Sequence, residues 1–312
     1  MNIKYFVIVL FFLSATIKAQ ENVDLVEENI AINAMIDGSL LSPKETTQTL
    51  AIIIADSGPT DRDGNQNFQK NNSLKKLAIG LAQNGIATFR YDKRTVKQIR
   101  RGNLDSDIVF NDFVTDAKAI VHYFKSERPF DKIFIIGHGQ GSLVGMLSSE
   151  QHVDGFISLA GSGKSFDDVL IKEIEKTAPM YKADSERVIA LLKEGKTTSD
   201  YPQQLSSIFN ESIQPFMSSW FQFKPIEVLS QLSIPVLIVN GSKDLQVPIE
   251  ESESLHKASK NSKLVIIDNM NHVFFTIEGD DLENSKSYAE TFRKVNPELL
   301  TTLTKFIKNP SK

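Results

Sequence analysis

Ile135-Ile136-Gly137-His138-Gly139-Gln140-Gly141-Ser142 is the stretch that decides how this chain is read. The apolar run 132–136 leads into it, and a helical segment, 142–149, leads out of it. A buried strand, a tight glycine turn and a helix follow from that pattern. Gly137 and Gly141 take the outer places of G-x-S-x-G, where a sharp strand-to-helix turn lifts the central residue above the sheet. That central residue is ordinarily a serine whose hydroxyl attacks a carbonyl. Here it is Gly139, which has no attacking atom. The other glycine reading, a dinucleotide loop G-x-G-x-x-G, needs glycine in sixth place, where this chain has Ser142.

Working outward, 50–55 and 86–91 read as buried strands, with a helix over 73–83 between them that stops at Asn84-Gly85. A helix over 112–125 carries Phe113, Ala117, Ile120, Val121 and Phe124 on one face. Further strands are expected at 154–159, 235–239 and 263–267, and a closing helix over 282–308 with a break near Pro297. Apolar strands alternating with amphipathic helices predict an α/β chain, with a mostly parallel sheet covered on both faces. Residues 21–49, punctuated by Gly38 and Pro43, are expected to add an antiparallel hairpin at the start. From 164 to 225 the alternation stops. That stretch reads as helical, clearest over 167–176 and 185–194, and as a cap over the carboxyl end of the sheet. The core is then 20–163 with 226–312.

Residues 1–4 carry one positive charge, 5–15 are almost wholly apolar, and Lys18-Ala19-Gln20 is a polar exit. This pattern predicts a secretory signal, 1–19, cut near Ala19, and hence an exported protein, periplasmic or secreted. The apolar run is too short for a stable membrane anchor. Without Lys4 and Lys18 the chain has 33 basic against 39 acidic residues, a net charge of −6, which disfavours nucleic acid as a partner. The cluster Lys93-Arg94, Lys97, Arg100-Arg101 is the one basic concentration, expected to be a solvated face. There is no cysteine, which excludes disulfides, thiolate catalysis and cysteine-ligated metals. No cofactor and no metal are called for.

Ligands of open α/β sheets bind outside the carboxyl ends of the strands, and four features fall there. They are the elbow, Asp244 after the strand at 235–239, His272 after the strand at 263–267, and the loop 56–65 after the strand at 50–55. Alone, Asp244 reads as a solvated turn residue, His272 as a loop histidine and 56–65 as a plain turn. Together, the order of elbow, acid and base is that of a triad in which Asp244 orients His272. The amide after the nucleophile position, that of Gln140, and one from the first loop would form an oxyanion hole. Pro59 has no N–H, so the second donor is expected from Ser57 or Gly58.

The segments Ser57-Gly58-Pro59-Thr60-Asp61-Arg62-Asp63-Gly64-Asn65, Arg90-Tyr91-Asp92-Lys93-Arg94, Ser158-Leu159-Ala160-Gly161, Gly241-Ser242-Lys243-Asp244 and Asn271-His272, with the elbow, carry a family resemblance. The chain resembles exported bacterial members of the α/β-hydrolase superfamily, and is similar to the serine aminopeptidase/lysophospholipase-like and carboxylesterase group. The resemblance implies Asp244 and His272 as triad acid and base, Gly139 in the nucleophile position, and a small-molecule ester or acyl substrate. It implies hydrolysis through an acyl-enzyme, with little or no activity in this chain because Gly139 replaces the serine. Two alternatives stand beside it: a peptidase of the same fold, with Asp167-Asp168 as candidate holders of a free amino terminus, and a non-catalytic ligand-binding protein. Ser142, the nearest hydroxyl, is expected to point elsewhere. A water in the space of the missing hydroxymethyl, activated by His272, is expected to support slow direct hydrolysis at most.

Overall fold

The computed structural model describes residues 23–310 apart from Leu104, Ser106, Pro129, Glu150 and Gln151, so the expected signal segment 1–19 lies outside the described residues. The apolar runs become strands: β1 Leu25–Ala31, β2 Asp37–Pro43, β3 Thr49–Ile54, β4 Ala87–Tyr91, β5 Lys132–His138, β6 Gly155–Leu159, β7 Val236–Gly241 and β8 Ser262–Ile267. They form one sheet in the order β1-β2-β4-β3-β5-β6-β7-β8. β1 pairs with β2, and β2 with β4, antiparallel; every later pairing is parallel.

β3 shows why continuous apolar runs were needed. Leu50, Ile52 and Ile54 face one side of the sheet, and Ala51 and Ile53 the other. Both faces are covered, so neither register position has room for a polar residue. On one face lie α1 (Ser73–Gln83) and, later in the chain, α11 (Pro297–Lys308), bringing Leu74, Leu77, Leu81, Leu299 and Leu303. On the other lie α3 (Phe110–Ser126), α4 (Gln140–Ser148), α8 (Pro225–Ser230) and α9 (Ile249–Ala258), with Phe124, Val144, Leu229 and Leu255 inward.

Between β6 and β7 the chain leaves the sheet for α5 (Phe166–Thr177), α6 (Lys182–Lys193) and α7 (Gln214–Trp220). These helices have a small core of their own, in which Ile174, Val188, Leu192, Phe209 and Met217 pack together. The closing helix differs from expectation. It is two helices, α10 (Asp281–Ser287) and α11, separated by 288–296, and the helix pattern is interrupted well before Pro297. Phe275 bridges to Val295, and Asn296 caps α11 through its side-chain oxygen on the amides of Glu298 and Leu299. A strand-like bridge and an N-cap won over local helix propensity. Among the described residues no helix is long and apolar enough to cross a membrane.

The basic cluster is mostly not a solvated face. It starts α2 (Arg94–Arg101), where Arg94 pairs with Asp112 (2.9 Å) and Asp116 (2.6 Å) and Lys97 with Asp37. Arg100 meets Asp92 at 2.7 Å, and Lys93 is buried. Their acids come from distant segments, which spacing along the chain does not reveal. Arg90, 1% exposed, is a further tie, reaching Glu27 at 2.7 Å and also Asp63. Asp63 is in the loop after β3, so Arg90 clips that loop to the sheet. Breaking a buried pair costs about 3–5 kcal/mol, less where the partners keep some solvent, as Glu27 and Asp63 do. Arg90→Leu is therefore expected to lower unfolding stability by about 2 kcal/mol in urea denaturation. An unchanged midpoint would mean that the pairs carry no net weight.

Candidate active site

At the elbow, Gly139 links β5 to α4 with φ 52° and ψ −117°, a left-handed conformation that suits glycine. The turn is pressed against its surroundings. A Cβ on Gly141 would collide with the carbonyl of Ile54 at the end of β3, so the elbow lies directly on the neighbouring strand. That contact brings the loop after β3, beginning Asp56-Ser57, to the first turn of α4.

The acid and base arrive from the other side. Asp244 follows β7, and its Oδ1 accepts the amides of Gln246 (2.8 Å) and Val247 (2.9 Å), which sets the side chain. Its Oδ2 accepts from His272 Nδ1 at 2.9 Å, and both side chains are buried. With Nδ1 so engaged, Nε2 of His272 turns toward the elbow. It does not find a nucleophile on residue 139; it meets Oδ2 of Asp56 at 3.1 Å.

Asp56 is the residue that sequence reasoning passed over. Its Oδ1 accepts two amides, Ser57 at 2.6 Å and Gln140 at 2.8 Å. These are the amide expected after the nucleophile position and one of the two expected from the first loop; of Ser57 and Gly58, Ser57 is the one on Asp56. The carboxylate also takes the place of a side chain at 139, since a Cβ on Gly139 would overlap its Oδ1 and Cγ. The space expected to admit a water is filled by this group. Asp56 stands two residues past β3, and no local pattern in the chain marks it as a partner of the elbow. Ser142 points away, its Oγ bonded to Ser158 Oγ at 2.7 Å.

Electrostatics follow from this arrangement. Burial alone would strip His272 of its proton, but Asp244 and Asp56, one on each ring nitrogen, outweigh it and raise the pKa to about 10. Burial likewise opposes charge on Asp56, yet the His272 hydrogen bond and the Gln140 amide hold its carboxyl well below the usual carboxylate range. His138 lies under His272, ring centroids 4.6 Å apart, with Nε2 donating to the His272 carbonyl at 2.9 Å. Burial and the neighbouring His272 charge push His138 down to about 4, so it stays neutral. Lys93 donates Nζ to the Asp56 carbonyl, and burial lowers it to about 8. Among the described residues, Asp56, His138 and His272 also offer donor atoms within 4.8 Å of one another, as a metal would require. The Asp56–His272 hydrogen bond, however, occupies the ground between two of them.

The rest of the first loop exists to hold this geometry. Asp61 Oδ1 accepts the amides of Asp63 and Asn65, both at 2.9 Å, and Asn65 Oδ1 accepts those of Asn71 (3.0 Å) and Asn72 (2.9 Å). Arg62 bonds Asp92 at 2.9 Å and Asp37 at 2.6 Å. A cavity of about 170 Å³ opens above Asp56, Gly139 and His272, walled by Leu143, Phe166, Val169 and Trp220. Beside it, sharing Gln140 and Trp220, is an apolar groove of about 520 Å³ with Ile99, Ile108, Phe113 and Phe216 in its wall. Trp220 also stacks on Phe166 at 3.8 Å, so it serves packing and cavity wall together.

Two consequences are measurable. His272 binds its proton more tightly folded than unfolded, so its share of stability is full below about pH 6.5 and is lost as pH rises toward 10. Asp56→Asn removes one flanking charge; the His272 pKa read by NMR titration should fall, and the alkaline loss of stability should shrink with it. If the pKa does not move, Asp56 is not what holds the proton. Gly139→Ala should destabilise by about 1–3 kcal/mol through positive φ and overlap. The added cost should be smaller in an Asp56→Gly background, a coupling that a double-mutant cycle measures; additive costs would show that the two positions do not share the space.

Comparison with known proteins bears on this arrangement. Residues 70–210 match the family model for serine aminopeptidase, S33. Esterase EstD of Thermotoga maritima is 24% identical over 282 residues, covering 86% of this chain; the chain spans 66% of that esterase's length. Among solved structures, Est1E from Butyrivibrio proteoclasticus superposes with a TM-score of 0.56 at 20% identity, covering 90% of this chain and 96% of that one. The Pyrococcus furiosus esterase Pf2001 gives 0.53 at 15% identity, covering 92% and 91%. The strand order, the elbow and these likenesses agree: the chain has the α/β-hydrolase fold.

Proposed function

We propose that this chain carries a scaffold for hydrolysing small carboxylic esters, with its acyl-enzyme chemistry shut off by the pair Asp56 and Gly139. The observation that carries the reading is Asp56 Oδ1, seated on the amides of Ser57 and Gln140 where an ester's oxyanion would have to develop. A second negative charge cannot form there without displacing the first, because like charges a few ångströms apart in a buried site repel strongly. Gly139 supplies no nucleophile, and His272, protonated between two carboxylates, supplies no base. Restored, the parts take familiar roles: Asp244 orients His272, His272 acts as base and then acid, and the two amides hold the oxyanion.

The substrate class rests on the relatives' names as esterases and on the apolar groove beside the site, fit for an acyl or alcohol portion. In this reading 164–225 is a cap over the site, supplying Phe166, Val169 and Trp220 to its wall. Export rests on the pattern of 1–19 alone. The peptidase alternative has less to stand on: Asp167 is tied to Lys193 at 2.6 Å, Asp168 bonds Ser165 Oγ at 2.9 Å, and neither lines the cavity. The non-catalytic binding reading shares the present state of the site and differs only in what the cavity retains.

The test is reversal in pairs. Gly139→Ser alone should fail to turn over short-chain nitrophenyl esters, because the new side chain overlaps Asp56. Gly139→Ser with Asp56→Ala should do so at least about 10³-fold faster than the unaltered chain, with aminoacyl anilides assayed alongside. A double variant inert on esters but active on anilides would favour the peptidase. Inertness on both would favour a binding protein.

A further inference from the structure

The partners of the missing nucleophile have not been left idle; all of them address Asp56. Two amides hold one carboxylate oxygen, and the Asp244–His272 pair is aimed at the other. The same carboxylate lies in the wall of a cavity whose apolar lining includes Leu143, Val169, Pro225 and Val247, with Ser162, Lys164 and Gln246 among its polar neighbours. Its side chain is 14% exposed, enough to be reached from that cavity. A carboxylate is an established covalent nucleophile when it is fixed and partly desolvated.

We propose that Asp56 is itself a nucleophile, moved from the elbow to the end of β3, and that it acts on saturated carbon bearing a halide. The geometry selects this substrate class. Attack on an ester would place the new oxyanion on the substrate, but the paired amides of Ser57 and Gln140 are committed to Asp56 Oδ1. Displacement at an sp³ carbon creates no oxyanion in its first step. Oδ2 donates an electron pair to the carbon, the C–O bond forms, the carbon–halogen bond breaks, and halide leaves with the bonding pair. Trp220 and Lys164, the latter paired with Glu251 at 2.6 Å, line the cavity that would receive the departing anion.

The second step uses what remains. Asp56 is now a neutral ester, so His272 has lost one of the two carboxylates that kept it protonated. It releases a proton to solvent and becomes a base. Water, deprotonated by His272, attacks Cγ of Asp56; negative charge develops on Oδ1, already 2.6 and 2.8 Å from two N–H groups. Collapse expels the alcohol and regenerates the carboxylate. In sum, an alkyl halide and water become an alcohol, a halide ion and a proton. The small cavity favours chains of a few carbons.

This inference rests on the same placement of Asp56 as the ester reading, but its test involves no ester, so either can fail alone. The unaltered protein is incubated with 1-bromobutane and bromide is measured. Release above buffer is expected, falling at least tenfold in Asp56→Asn and in Asp56→Ala, with thermal melts confirming that each is folded. In His272→Ala the second step is lost, and mass spectrometry should find one butyl group on the peptide containing Asp56. A single turnover in ¹⁸O-water should put label into the Asp56 carboxylate. Absence of both bromide release and a butyl adduct, or an adduct on any other residue, overturns the proposal.

Discussion

One carboxylate oxygen, Oδ1 of Asp56, shared between the amides of Ser57 and Gln140, ties the two central loops of the sheet together. It depends on β3 and β5 being neighbours in register, with Ile54 opposite Gly137. Through Oδ2 the same group reaches His272, and through His272 it reaches Asp244 and the loops after β7 and β8. Four strand ends are thereby joined by a chain of charge-assisted hydrogen bonds, which are the stronger kind and lose little to water when buried. The protonation of His272, the neutrality of His138 and the conformation of the elbow all follow from it.

Seen from that interaction, Gly139 is one half of a pair. A turn with positive φ needs little more than glycine's freedom, but the absence of a side chain at 139 also makes the room that Asp56 occupies. The rest of the first loop holds the pair in place from outside. Arg62 and Arg90 clip it to the sheet, and Asp61 and Asn65 cage its backbone amides.

The helix α1 and the buried strands were legible because a covered parallel sheet imposes continuous apolar runs, and a sheet-packed helix an apolar stripe. The order of elbow, Asp244 and His272 was legible because each follows a strand whose end is recognisable. Less could be read where distant charges decide. The basic cluster at 93–101 looked solvated because its partners, Asp37, Asp112 and Asp116, belong to other elements. α9 carried too weak an apolar stripe to be expected, and 288–296 is held out of a helix by Val295 bridging to Phe275.

The chain's sequence by itself determined the layered α/β architecture, the glycine elbow and the absence of a hydroxyl at its centre, since periodicity and residue identity are local. Only the tertiary structure decided which group stands over Gly139. Asp56 and Gly139 are 83 positions apart in the chain, and nothing in either neighbourhood states that they meet. They meet because β3 and β5 pair in parallel and deliver both strand ends to one point. The pairing of strands is set by packing across the whole sheet, and so is the chemistry at its edge.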